Sequence, residues 1–197
     1  MDTILLIDGE NIKGKIKDVF KELGKEKPDW HEYNFKSLFD KVLSGIKIDR
    51  KVFYFAKIKE HKKSIEKSKR LIEEQRLLKT HLEKQGFEVI LRGRVRGQIE
   101  NSNGKEILVF REKGVDVKIA VDMVSLSCDK KIKEIILCSS DSDLQPAIEE
   151  VKRRKVNCTY VGFEVNPNKG LSYTTKRTIL IRNSEVIEFE KSQNKLM

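Results

Sequence analysis

Three separated segments of this chain place single carboxylates at the ends of apolar runs. They read Ile4-Leu5-Leu6-Ile7-Asp8-Gly9-Glu10-Asn11, Lys113-Gly114-Val115-Asp116 and Leu137-Cys138-Ser139-Ser140-Asp141-Ser142-Asp143. In α/β folds, sites form where parallel strands end, so acids delivered there from distant segments can converge on one hard cation. A divalent ion held by a few carboxylates, with waters completing its shell, is a means of hydrolysing phosphodiesters. Asp8, Asp116 and Asp141 are the expected direct ligands.

Each acid also has a plainer role to compete with. Asp8 can cap the following helix, but Asn11 stands immediately before the apolar periodicity at Ile12 and is the better cap, which leaves Asp8 for metal. Gly9 would let the chain turn sharply beside a ligand, and Glu10 would point away. Asp143 explains itself as a cap and Asp141 does not. Asp116 opens a helix after Gly114, where the dipole favours negative charge. Asp122 lies six residues on, roughly 9 Å along the axis and about 120° around it. It therefore reads as a supporting residue, with Ser139, or equally as half of a structural ion pair.

The elements that must position these acids follow from the apolar patterning. Thr3–Ile7, Lys51–Ala56, Phe87–Leu91, Ile132–Cys138 and Val156–Val161 read as strands covered on both faces. Ile12–Leu23, Asn34–Leu43, Ser64–Gln85, Val115–Leu126 and Leu144–Arg153 read as helices, and Pro146 fits a first helical turn. Alternation on both sides of Asn103-Gly104 predicts a β-hairpin starting near Arg92 and running through Arg111. Leu171–Leu180 reads as helix or strand, Glu185–Phe189 as a short strand or docking segment, and the last eight residues as a fraying end. Strands alternating with helices predict an α/β fold: a mostly parallel sheet with helices on both faces.

Composition sets the outer limits. At 197 residues the chain suffices for one substantial domain. Its 37% charged content exceeds the usual value of about 25%, and 41 basic against 31 acidic residues leave a net charge of +10. Such an excess favours polyanions, although a lysine-rich genomic background explains part of it. Cys128, Cys138 and Cys158 lack metal-site spacing, and His31, His61 and His81 lie far from them, so zinc is not expected. No apolar run approaches ~20 residues. A soluble, cytoplasmic protein without a membrane segment is the expectation, and assembly into a homodimer is left open.

Taken together, the motifs resemble those of NYN domains, the LabA-like branch of the PIN-like nuclease superfamily. Asp8-Gly9-Glu10-Asn11 is similar to that family's D-G-x-N opening. Lys113-Gly-Val-Asp116-Val-Lys-Ile-Ala-Val-Asp122 resembles its K-G-V-D helix, and Ser139-Ser-Asp141-Ser-Asp143-Leu144 its S-x-D-S-D-F segment, with leucine in place of the aromatic. The resemblance spans Ile4 to about Gly162. It implies a Rossmann-like three-layer sandwich with a hairpin insertion, a nuclease domain over residues 1–165 and a C-terminal extension, 166–197, packed on it. It further implies a Mg2+- or Mn2+-dependent ribonuclease site of Asp8, Asn11, Asp116 and Asp141, supported by Asp122 and Asp143.

In-line attack by a metal-activated water is the chemistry such a site would run. Lys57, Lys59 and Lys113 stand near the predicted strand ends, and Arg92, Arg94 and Arg96 fall at alternate positions of an extended segment, so all three would share a face and suit RNA phosphates. The same comb can serve as a solvated strand edge. Tyr54, Phe55 and Phe110 read as core, so base stacking is not expected. Two other function classes remain: a non-catalytic RNA-binding module on the same fold, and a small-molecule phosphatase, which the absence of a D-x-D motif at Asp8 disfavours.

Overall fold

The computed structural model describes residues 1–60, 65–102 and 105–190, and of residues 96–102 and 105–111 the backbone alone. The elements follow in the order β1 (Asp2–Asp8), α1 (Gly9–Glu22), α2 (Phe35–Val42), β2 (Arg50–Phe55), α3 (Ile65–Lys84) and β3 (Glu88–Leu91). The hairpin β4 (Arg94–Ser102) and β5 (Lys105–Lys113) comes next, then α4 (Val115–Ser127), β6 (Ile132–Cys138), α5 (Gln145–Arg153) and β7 (Asn157–Phe163). The chain closes through α6 (Lys169–Thr174), β8 (Arg177–Ile181) and α7 (Asn183–Glu188).

Six strands form one sheet in the order β3-β2-β1-β6-β7-β8, and all five pairings are parallel. The alternation within β1 builds a layer on each side. Leu5 and Ile7 face the cluster containing Ile12, Ile16 and Phe20 of α1 and Phe35, Leu38 and Phe39 of α2. Ile4 and Leu6 face Ile119 and Met123 of α4 and Ile148 and Val151 of α5. Each such fully buried aliphatic side chain contributes ~1.5–3 kcal/mol, which is why strands buried on both faces carry almost no polar residue. The expected three-layer α/β sandwich is the observed fold.

The sequence runs outward from β1 to β2 and β3, then returns to the other side of β1 with β6. That reversal is a topological switch point, and the crevice outside the C-terminal ends of β1 and β6 is where such sheets bind ligands. The β4–β5 hairpin stands apart as a two-stranded sheet, in the register Arg94↔Lys113, Val95↔Glu112 and Arg96↔Arg111. Its expected turn at Asn103-Gly104 lies outside the described residues.

Several boundaries differ from expectation for local reasons. The segment 171–180 is helix and then strand: α6 ends, and β8 joins the sheet beside β7. Of Glu185–Phe189, all but Phe189, which closes the helix, fall in α7 rather than in a strand, because the Glu185 side chain reaches back to accept the Arg182 N–H at 2.8 Å, half of a capping box. Val186 of that helix is buried, and its carbonyl accepts the Tyr33 hydroxyl at 2.7 Å. Of the last eight residues, where fraying was expected, 191–197 lie outside the described residues. Among the described residues no helix is long and apolar enough to cross a membrane.

Candidate active site

β1 ends on Asp8, and β6 ends one residue before Ser139. The register Ile7↔Cys138 sets the two chain exits side by side, and Ser139 Oγ donates to Asp8 Oδ2 at 3.4 Å. Asp8 Oδ1 accepts the Asn11 N–H at 3.1 Å, so Asp8 itself caps α1, which starts at Gly9. The expectation that Asn11 would cap is thereby corrected. Asn11 sits inside the helix, and its Oδ1 accepts both the N–H and the Oγ–H of Ser140, each at 3.0 Å.

The second strand end repeats the device. Asp141 caps the short 3-10 turn Ser142–Leu144, accepting the Asp143 N–H through Oδ1 at 2.9 Å, while its own N–H donates to Ser139 Oγ at 3.2 Å. Asp143, expected as the cap, is the capped residue and is exposed. In both aspartates one carboxylate oxygen is locked by a backbone N–H, which fixes where the other points. Capping and site formation are here the same geometry rather than competitors.

The third acid comes from α4. Gly114 precedes it in the left-handed region at φ 84°, a conformation glycine adopts without steric cost, and this turns the chain from β5 so that Asp116 falls in the first helical turn. Asp8, Glu112, Lys113, Asp116 and Asp141 then line one cleft of about 390 Å³. Asp122 does not reach it. Its Oδ2 accepts the Tyr54 hydroxyl at 2.9 Å and its Oδ1 pairs with Lys118, so the structure places it in an ion-pair network and not beside the other acids.

A profile of the NYN domain matches residues 2–182. The chain belongs to the NYN domain family. NYN domains fall within the PIN-like nuclease superfamily. No curated protein matches the chain. Its fold is similar to that in the crystal structure of VPA0982, a protein of unknown function from Vibrio parahaemolyticus RIMD 2210633, at 18% identity and a TM-score of 0.59, over 91% of this chain and 92% of that one.

Electrostatics distinguish the residues of this cleft. Burial lifts the Asp8 carboxyl to about 6, against the lowering effect of the Asn11 and Ser139 hydrogen bonds, and Asp141 and Glu10 add repulsion. Glu112, which the sequence reading missed, is raised further, to about 7, by burial and by the charges of Glu10 and Asp8. Its Oε1 accepts the Ala56 N–H at 2.8 Å. Flanked by Arg111 and Lys113, it reads in sequence as one more solvated charge. Only its register opposite Val95 turns it inward.

The cations divide. Lys57, Lys59, Arg92, Arg94 and Lys113 are exposed, and Lys113 lines the cleft. Arg94 opens β4, while Arg92 lies outside the strand, beyond Gly93. The Arg96 side chain lies outside the described residues.

All donors around the cleft are oxygens, the set a hard cation prefers. Among the described residues no three Asp, Glu, His or Cys side chains are close enough to enclose a metal ion. The cleft thus fits an ion held by one or two carboxylates that keeps several waters, the manner of Mg2+ and, with similar oxygen preference, Mn2+. It does not fit a dry cage.

Proposed function

We propose that this NYN domain is a metal-dependent ribonuclease that hydrolyses RNA phosphodiester bonds. The observation that carries the reading is the convergence of Asp8, Asp116, Asp141 and Glu112 on one cleft at the switch point of the sheet. Mg2+ or Mn2+ would be held by one or two of the Asp8, Asp116 and Asp141 carboxylates directly and by the rest through its retained waters. The ion would lower the pKa of a bound water and neutralise charge on the non-bridging phosphate oxygens.

The remaining work falls to the chain's own residues. The Asn11 and Asp143 N–H groups orient the Asp8 and Asp141 carboxylates. Ser139 touches both aspartate segments, and Asn11 ties the β1 exit to Ser140, so the two strand ends hold a fixed spacing. Glu112, with a carboxyl titrating near neutrality, is suited to take the proton of the attacking water. Lys113 and Arg94, cross-strand neighbours at the hairpin base, supply positive charge for the strand's phosphates, in keeping with a chain of net charge +10. The motif set also fits the LabA-like branch of the family.

Cleavage of a labelled RNA in Mn2+ or Mg2+ tests the reading. Asp8→Asn and Asp141→Asn are each expected to lower the rate at least about 100-fold, the scale of losing a group that stabilises transition-state charge. Cleavage that survives both substitutions would falsify it. One observation favours a second reading, a non-catalytic RNA-binding module: the acids are not gathered tightly enough to enclose an ion. That reading predicts RNA retention without turnover in any divalent metal.

A further inference from the structure

Glu112 also lines a second cavity, of about 270 Å³. Its walls are apolar: Trp30 and Phe55 on one side, Leu71 and Leu78 of α3, Val89 of β3 and Val95 of β4. The polar groups at its edge are largely engaged. Gln75 donates to the Ala56 carbonyl at 2.8 Å and accepts the Ile58 N–H at 3.3 Å, and Lys13 pairs with Glu10 at 2.6 Å. A flat, weakly polar ring would find two aromatic side chains there. The volume falls just below the range of small-ligand sites, ~300–1,000 Å³, which suits one heterocycle.

Its position relative to the acids selects the occupant. Glu112 lines both cavities, so a phosphate among the acids and a ring in the apolar cavity would be separated by one side chain. A nucleotide has that arrangement: a charged phosphate, a sugar, and an aromatic base. The Lys13 ammonium stands 5.6 Å from the Trp30 ring centroid and 5.9 Å from that of Phe55, and the Lys17 ammonium 5.9 Å from Trp30, placing cations at the aromatic wall where a strand's backbone would pass. Gly9 holds the wall in place, since a Cβ there would lie 2.1 Å from Phe55 Cε1. The D-G-E-N segment therefore shapes the aromatic cavity as well as supplying the first acid.

We infer that this cavity receives an unpaired nucleobase of the RNA strand whose phosphate lies among the acids. The inference takes only the phosphate's placement from the nuclease reading. A base in a duplex is stacked and paired and cannot enter, so the cavity selects single-stranded RNA. Stacking on aromatic rings tolerates every base, so the preference is for strandedness rather than sequence.

Trp30 is the single tryptophan of the chain, and its emission reports on the cavity directly. The full chain is titrated in EDTA, where no cleavage occurs, with a uridine decamer, an abasic strand of the same length, a duplex and uridine monophosphate. The decamer is expected to quench Trp30 saturably; the abasic strand and the duplex are not. Leu71→Phe from α3 and, independently, Val95→Phe from β4 fill the cavity. Each should weaken decamer binding about tenfold, within the range for loss of one stacked base, and leave the Mn2+-induced rise in Tm unchanged. Equal quenching by the abasic strand, or decamer binding seen by anisotropy without quenching, overturns the inference. Uridine monophosphate binding as tightly as the decamer assigns the cavity to a free nucleotide and overturns it too. Base-dependent quenching with no cleavage in any divalent metal keeps the cavity and removes the nuclease reading; cleavage without base-dependent quenching does the reverse.

Discussion

Asn11 Oδ1 accepts two hydrogen bonds from Ser140, one from its N–H and one from its hydroxyl, each 3.0 Å long. The two residues are 129 positions apart, and the bonds lock the exit of β1 to the exit of β6. An amide oxygen serves here because both partners donate; a leucine of similar size would leave a half-buried backbone N–H unpaired. Asn11→Leu is therefore expected to cost about 1–3 kcal/mol, read as a lowered urea midpoint. It should cut RNA cleavage by more than the stability loss explains at temperatures where the variant is still folded. Wild-type cleavage by a folded Asn11→Leu protein would show that the strand exits need no such tie.

Asp8 sets stability against function. Its carboxyl is lifted to about 6 in the folded chain, against 3.8 for a free aspartate, because burial disfavours the charge. Between those values the folded state holds a proton that the unfolded state has lost, so this group's contribution to stability falls as pH rises from about 4 to about 6, then stays level. The difference of about two pKa units corresponds to about 3 kcal/mol. Asparagine caps a helix as well as aspartate and carries no charge. Asp8→Asn should therefore raise Tm by several degrees at pH 8, at ~2–4 °C per kcal/mol for a chain of this size, and by little at pH 4. A thermal shift that is the same at both pH values would contradict the buried-charge account. The rate of the wild-type enzyme should rise between pH 5 and 7 as Asp8 and Glu112 ionise.

Much of this is legible in the sequence, and the reasons are physical. β1 and β6 announce themselves as short apolar runs because both faces of the sheet are covered. The acids after them stand out because a carboxylate at the end of an apolar run is costly to bury unless something there holds it. Glu112 was hidden, since a glutamate between arginine and lysine is indistinguishable from a surface charge until the hairpin register sets it opposite Val95. The capping roles of Asp8 and Asp141 were misassigned to Asn11 and Asp143 because the helical periodicity begins later than the helix does. Phe55 was read as core, and it is 3% exposed, yet its ring also lines a cavity. A strand's sequence cannot show whether the space beyond a buried ring is filled.

Gly9 illustrates the same limit and yields a sharp expectation. The sequence suggests a turn, but the residue is the first of α1, and what it lacks is space. A methyl group there would meet three atoms of the Phe55 ring at 2.1–2.5 Å. Phe55 is itself held, stacked on Phe53 with ring centroids 5.8 Å apart. Gly9→Ala should destabilise the chain by at least about 1–3 kcal/mol, as overpacking does, despite alanine's better helix propensity. Chemical denaturation checks the size. Pairing Gly9→Ala with Phe55→Leu should recover part of the loss, and full additivity of the two changes would mean that they do not meet.

Asp116 and Asp122 belong to one helix, and their separation predicts opposite behaviour. Asp116 lines the cleft with Asp8 and Asp141; Asp122 is occupied by Tyr54 and Lys118. A cation that binds only the folded chain raises stability by about 2.7 kcal/mol at a hundredfold excess over its dissociation constant, and the rise in Tm on adding Mn2+ measures it. Asp116→Asn should reduce that rise and leave the metal-free Tm near that of the wild type, because a half-exposed carboxylate is lost without a partner being stranded. Asp122→Asn should do the opposite. The amide still accepts the Tyr54 hydroxyl but no longer pairs with Lys118, so the metal-free Tm falls by the equivalent of about 1 kcal/mol while the response to Mn2+ is kept. The two substitutions differ only in where the helix carries them. A Mn2+ response lost in Asp122→Asn and retained in Asp116→Asn would mean that the cation sits deeper along α4 than the cleft.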